Sequence, residues 1–331
     1  MESSTEIAQS LLNLSIAAIF ASNPSTLSPI ERDLSSRDFR GLAVGTVAEI
    51  NVGQHNALPL LVASQIGAVR DWETPLSDNL ALVSFSHQSG EVRVAKPFDE
   101  RSSNRPEAGR PATRRPKPTG DAATGVATSV RSVDARKLLG LEWQTGKVSL
   151  FAVSFDMASN VTSVALTGGG DPAPATVRTI SLPPRADGTG LPSYDPAVVG
   201  VKPPADGVEF SVLTHAPSGR IVVRGSLSVE ALGRHVLGSP APLAGKSVAA
   251  VVPVALLVVG RNWRLPWAFE LGIPVYGNAA IAPGTRMSAA LAIPVPHDGK
   301  RILPAGDYAA YVVMEGQLFG PQRFTMPAAN P

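Results

Sequence analysis

Two stretches, half a chain apart, run in one register and set the terms for the fold. Gly146 to Leu166 reads GKVSLFAVSFDMASNVTSVAL, and Gly306 to Met326 reads GDYAAYVVMEGQLFGPQRFTM. Each opens on glycine and continues as an apolar strand. In the first, Val148, Leu150 and Ala152 alternate with Ser149, Phe151 and Val153; in the second, Tyr308, Ala310 and Val312 alternate with Ala309, Tyr311 and Val313. Both faces are mostly apolar, the pattern of a strand covered on both sides. A polar break follows, Asp156 to Asn160 or Glu315 to Gly316, and then a closing strand that ends on Val164 and Leu166 or on Phe324 and Met326. Strand, tight turn, strand predicts a β-hairpin. Gly146 matches Gly306 and Val153 matches Val313, but few other pairs are identical, so two independent β domains of similar build explain the likeness as well as a duplication does.

The rest of the chain agrees with a β reading. Thirty glycines and thirty prolines interrupt it too often for long helices, and the intervening Val, Ile, Thr and Ala segments suit short strands. A length of 331 residues with 44% hydrophobic content supports two cores rather than a disordered chain. The absence of cysteine excludes disulfides, thiolate metal sites, iron–sulfur clusters and a cysteine nucleophile. A formal net charge of +2 gives no nucleic-acid footprint across the whole surface.

Read in order, residues 1–40 predict an N-terminal helix and a connector. Ser3, Ser4 or Thr5 can cap the helix, Glu6 sits in its first turn, and Ile7, Leu11 and Leu14 share a stripe. The apolar run Leu11 to Ala21 is flanked by Glu2 and Glu6 rather than by Lys or Arg, so no secretory leader is predicted, and it is too short to span a bilayer. From residue 41 alternating runs begin, with a Ser89-Gly90 turn between NLALVSFS and EVRVAKPF. Within this first domain, 41–170, residues 99–125 form a Pro-rich basic loop in which Arg110, Arg114, Arg115 and Lys117 cluster. Such a loop reads as a solvated segment or as an arm for an anionic partner; nucleic acid is not expected except through this loop, and with no aromatic among the arginines base stacking has nothing to work with.

The second domain, 176–331, repeats the manner of the first. VEFSVLTH and RIVVRGSLSV predict a hairpin. The most apolar run of the chain, Ser247 to Gly260, is split by Pro253 and reads as a buried strand, or as two strands meeting at a bend.

Motifs for chemistry are sparse. The five histidines, His55, His87, His215, His235 and His297, form no close ligand pair, and they read as surface or turn residues; no metal and no cofactor is called for. Asp71, Glu73 and Asp78 surround Trp72 in DWETPLSD, a cluster that could work as general acid and base in a hydrolase. The remaining oddity is NWRLPW, Asn262 to Trp267, which holds half of the four tryptophans together with Arg264. Trp and Arg dominate binding hot spots, and a flat aromatic suits a sugar ring.

The sequence therefore predicts an all-β protein of two tandem β-sandwich domains, immunoglobulin- or fibronectin-like or jelly-roll-like, with an N-terminal helix. Its function reads as non-enzymatic binding of a protein or glycan partner through Trp263, Arg264 and Trp267. A structural assembly subunit, shell or coat, using the N-terminal helix and the basic loop is the alternative, and a hydrolase built on the acidic loop is a second one.

Overall fold

A computed structural model describes residues 41–67, 80–95, 126–155, 157–170, 202–215, 220–243, 245–261, 267–295 and 303–328. The expected N-terminal helix, the basic loop and the DWETPLSD cluster lie outside these residues. What is described is nearly all strand, arranged in several sheets.

The chain divides into two compact units, the first made of Met1–Ser84, Arg93–Pro172 and Asn262–Leu265, the second of Phe85–Val92, Ala173–Arg261 and Pro266–Pro331. Two sheets carry the first set of strands. One is antiparallel: β3 (Pro59–Gly67) lies between β1 (Gly41–Thr46) and β6 (Val126–Asp134). The other orders β2 (Glu49–Asn51), β9 (Thr162–Thr167), β7 (Gly146–Ser154), β4 (Leu80–Ser86) and β5 (Val92–Ala95), with β8 (Met157–Ala158) also on β7. Alternate residues build one core from both sheets: Leu42 and Val44, Leu60 and Val62, Leu80 and Leu82, Val148, Leu150 and Ala152, Val164 and Leu166. That spacing of two is what a strand offers to one face.

The first organising stretch is an antiparallel pair in which Gly146 faces Leu166 and Leu150 faces Thr162. Its polar break does more than turn the chain. The Asn160 carboxamide lies against β1, accepting from the Val44 N–H and donating to the Val44 C=O, each at 2.9 Å. One side chain so supplies both bonds that a neighbouring strand would have made. In the stretch Leu138 to Leu141, which the sequence presents as a turn, Leu138 and Leu139 end a one-turn helix, α1 (Ala135–Leu139), capped by Asp134 and stopped by Gly140 at φ 61°. Asp134 also accepts from the Leu58 N–H at 3.1 Å, which ties the helix to the start of β3.

In the second unit a three-stranded sheet orders β10 (Gly207–His215), β11 (Arg220–Glu230) and β15 (Arg286–Val295). The other sheet is organised by β13 (Lys246–Gly260), a single strand of 15 residues. Along one edge β13 pairs with β14 (Trp267–Tyr276). Along the other it pairs first with β12 (Val236–Leu243), as far as Ala250, and from Ala255 onward with β16 (Gly306–Met314), which in turn pairs with β17 (Gln317–Met326).

Pro253 falls in the interval between those two partners. The Val251 N–H points toward β12, donating to the His235 C=O at 2.9 Å. Two residues on, Pro253 faces the same way, where neither β12 nor β16 runs, so its missing N–H leaves no neighbour unpaired. The bend that the proline invites in the sequence does not break the strand. Gly90, in the turn after β4, approaches the Pro253 ring closely enough that a Cβ would stand 3.1 Å from its Cγ, and it adopts φ 69°.

Asn160→Ala is expected to lower unfolding stability by about 2 kcal/mol, since it strands two backbone groups of Val44. Urea denaturation measures this; a loss under about 0.5 kcal/mol would show that water replaces the carboxamide at no cost.

Candidate functional site

The turn between β16 and β17 has two residues, Glu315 and Gly316, with φ 52° and 75°. Both values are positive, as a tight hairpin turn of this kind requires, and asparagine or glycine normally serves. A glutamate there costs on the order of 1 kcal/mol of backbone strain. Its carboxylate supplies the compensation. Glu315 Oε1 lies 2.7 Å from His235 Nε2, and Oε2 is paired with Arg234 Nη2.

His235 is fully buried. Its Nδ1 accepts the Leu232 N–H at 3.2 Å, which leaves the proton on Nε2 to be donated to Glu315. The ring is therefore neutral. Burial, reinforced by the neighbouring Arg234 guanidinium, lowers its pKa from 6.5 to about 4, against an opposing pull from the Glu230 backbone carbonyl. Arg234 is itself largely buried, which lowers its pKa, and its Nη1 donates to the His87 C=O at 2.7 Å. Three segments of the second unit thus meet at one knot: the Phe85–Val92 turn, the loop 231–235 and the turn after β16.

Glu315 also lines a cleft of about 220 Å³. Asp206, Glu230, Arg286 and Gln317 supply its polar walls; Val229, Leu232 and Met314 supply apolar ones. Arg286 Nη1 donates to Asp206 Oδ1 at 2.9 Å, to Ser228 Oγ at 3.4 Å and to the Ala205 C=O. Two of the three acids in the cleft are thus committed, Asp206 to Arg286 and Glu315 to Arg234 and His235.

The expectation that the histidines are surface or turn residues is corrected for His235. His87 does sit in the turn after β4, its ring 5.1 Å from Phe85 and edge-on to it. His55 offers its carbonyl to Trp143 Nε1 at 2.7 Å, a bond that with Arg136 stacked over the same indole at 4.7 Å fixes the turn after β2. His215 ends β10. His297 lies outside the described residues.

Of the aromatic site read from the sequence, Trp267 begins β14, half-buried, with its ring 6.3 Å from Phe269 and perpendicular to it. Trp263 and Arg264 lie outside the described residues, as do Arg110, Arg114, Arg115, Lys117, Asp71, Trp72, Glu73 and Asp78. Among the described residues there is no cluster of His, Asp and Glu suited to a metal ion, and no helix long and apolar enough to cross a membrane.

No protein-family model matches the sequence, and no curated protein matches it. Among solved structures, the C-terminal domain of the Streptococcus pyogenes antigen I/II-family protein AspA aligns with 87% of this chain and 99% of its own, at 9% identity and a TM-score of 0.18. A bacterial adhesin from Mobiluncus mulieris, cross-linked internally by disulfide, isopeptide and ester bonds, aligns with 84% of this chain and 82% of its own, at 8% identity and a TM-score of 0.13. Similarity at that level bears on neither the fold nor the function of this chain.

Arg234→Met is expected to destabilise the protein by about 3 kcal/mol, because it leaves the Glu315 carboxylate half-buried with its cation gone. Adding Glu315→Gln should restore part of that loss, as removing both charges is cheaper than removing one. Urea unfolding of the two variants checks this; equal loss in both would mean that the pair acts through packing alone.

Proposed function

We propose that the protein is a non-enzymatic binding module that recognises a protein or glycan partner through Trp263, Arg264 and Trp267, carried on two tandem β-sandwich domains. The sandwich reading rests on the pair of sheets in each unit and, in the first unit, on the alternation that turns every second residue toward a shared interior.

The observation that carries the binding reading is the first half of β14. Trp267, Ala268, Phe269 and Glu270 alternate between half-buried and exposed, whereas Leu271 to Val275 are fully buried. Trp267 and Phe269 therefore place two large rings on the half-buried face of this strand segment, each still partly open to solvent, while Ala268 and Glu270 take the exposed face. Half-buried aromatics in such a setting offer apolar area with little conformational entropy to lose, and the face of an indole suits a sugar ring or a peptide side chain alike. Trp263 and Arg264 precede this segment in the sequence by a few residues and are proposed as further contacts.

In the cleft, Glu315 is held by Arg234 and His235, and Asp206 pairs with Arg286 at the exposed rim. The basic cluster Arg110, Arg114, Arg115 and Lys117 is proposed as a second contact for an anionic part of the partner.

Trp267→Ala is expected to reduce retention on a glycan array or on a displayed-peptide library at least 30-fold, with the urea midpoint little changed. A parent protein that binds neither, or a variant that binds as the parent does, would overturn the proposal.

A further inference from the structure

We propose that Arg234, His235 and Glu315 form an acid-released clasp, which holds the loop 231–235, the turn after β16 and the Phe85–Val92 turn together near neutral pH and lets them part when His235 takes up a proton. The geometry favours the neutral ring. His235 is fully buried with both ring nitrogens engaged, Nδ1 as the acceptor of the Leu232 N–H at 3.2 Å and Nε2 as the donor to Glu315 at 2.7 Å. A proton from solvent can enter only at Nδ1. It would there meet the Leu232 N–H head on, two donors in the place of a donor and an acceptor, and the loop bond would break.

The charges around the ring act in both directions. Arg234, from the same loop, opposes the proton; Glu315, from the turn after β16, favours it, but its charge is already matched by Arg234. Glu230 at the end of β11 contributes a backbone carbonyl that favours protonation, and the Phe85–Val92 turn contributes the His87 C=O, which orients Arg234 and not the ring. From β13 the ring's residue receives only the Val251 N–H, at its carbonyl. With burial opposing the charge as well, the closed knot excludes the proton and the open one accepts it.

Opening is therefore linked to pH with a definite sign. The opened loop titrates near 6.5, the closed one near 4, so acid favours opening throughout that window and has no further effect above or below it. Between pH 7.5 and pH 5 the population of the open form should rise about 30-fold. Leu232, whose N–H bonds the His235 ring, and Glu315 also line the cleft, so release at acid pH opens the cleft wall.

Hydrogen–deuterium exchange of the full chain at pH 7.5 and pH 5, corrected for the intrinsic pH dependence of exchange, tests this. The amides of residues 232–235 and 314–317 are expected to gain about 30-fold in opening relative to those of β13, and His235→Gln is expected to abolish the difference. Should that variant fail to fold, nitrogen NMR of the wild-type imidazoles decides: His235 is expected as the Nε2–H tautomer, still neutral at pH 5. Exchange at these segments that does not change with pH, or a His235 that titrates near 6.5, would overturn the proposal.

Discussion

An apolar strand with both faces buried must find hydrogen-bond partners along both edges, and β13 is where this protein meets that constraint most severely. Almost every residue from Val248 to Gly260 is buried, so no backbone group there can turn to water. One edge is met by β14 alone; the other is shared by β12 and β16, with Pro253 in the interval that neither covers. That proline lies in the interval between the start of β12 and the end of β16. The loop that leads into β12 and the turn that leaves β16 then lie on the same side of the strand, which is how His235 and Glu315, 80 residues apart in sequence, come within a hydrogen bond of each other.

The electrostatics follow from that placement. A glutamate at a left-handed turn position and a histidine without solvent access are each unfavourable alone. Together with Arg234 they satisfy one another: the carboxylate takes one donor on each oxygen, and the histidine keeps the tautomer that its own loop requires. The result is a turn whose side chain is fixed in direction, at the wall of a cleft whose charges are mostly spoken for. The proposed recognition surface is the aromatic start of β14, where Trp267 and Phe269 are half-buried while the other half of the strand is buried.

The sequence made the local elements readable and the non-local ones opaque. The pairing of Gly146 with Leu166 and of Gly306 with Met326 follows from alternation and from a short polar break, both of which are local signals. The parallel pairing of β2 with β9 and the placement of β3 between β1 and β6 have no such signature, because they depend on which edges remain open after the hairpins form. Asn160 belongs to the polar break between two strands, yet its carboxamide also closes the edge of β1, a role set by a strand more than a hundred residues earlier. His235 carried no visible sign of its burial: Gly-Arg-His in a loop reads as polar surface, and its acidic partner lies in another hairpin. Trp267 was the one residue of the candidate site that sequence chemistry singled out and that the described residues include.

The central claim is that the chain works as a discrete binder and not as a unit of a larger shell. Absolute mass by light scattering after size exclusion, at low and at high salt, tests it most directly. A mass of one chain or a small multiple of it, unchanged by salt, is expected. A large particle that dissociates as salt is raised would contradict the claim and assign the basic loop and the N-terminal segment to assembly.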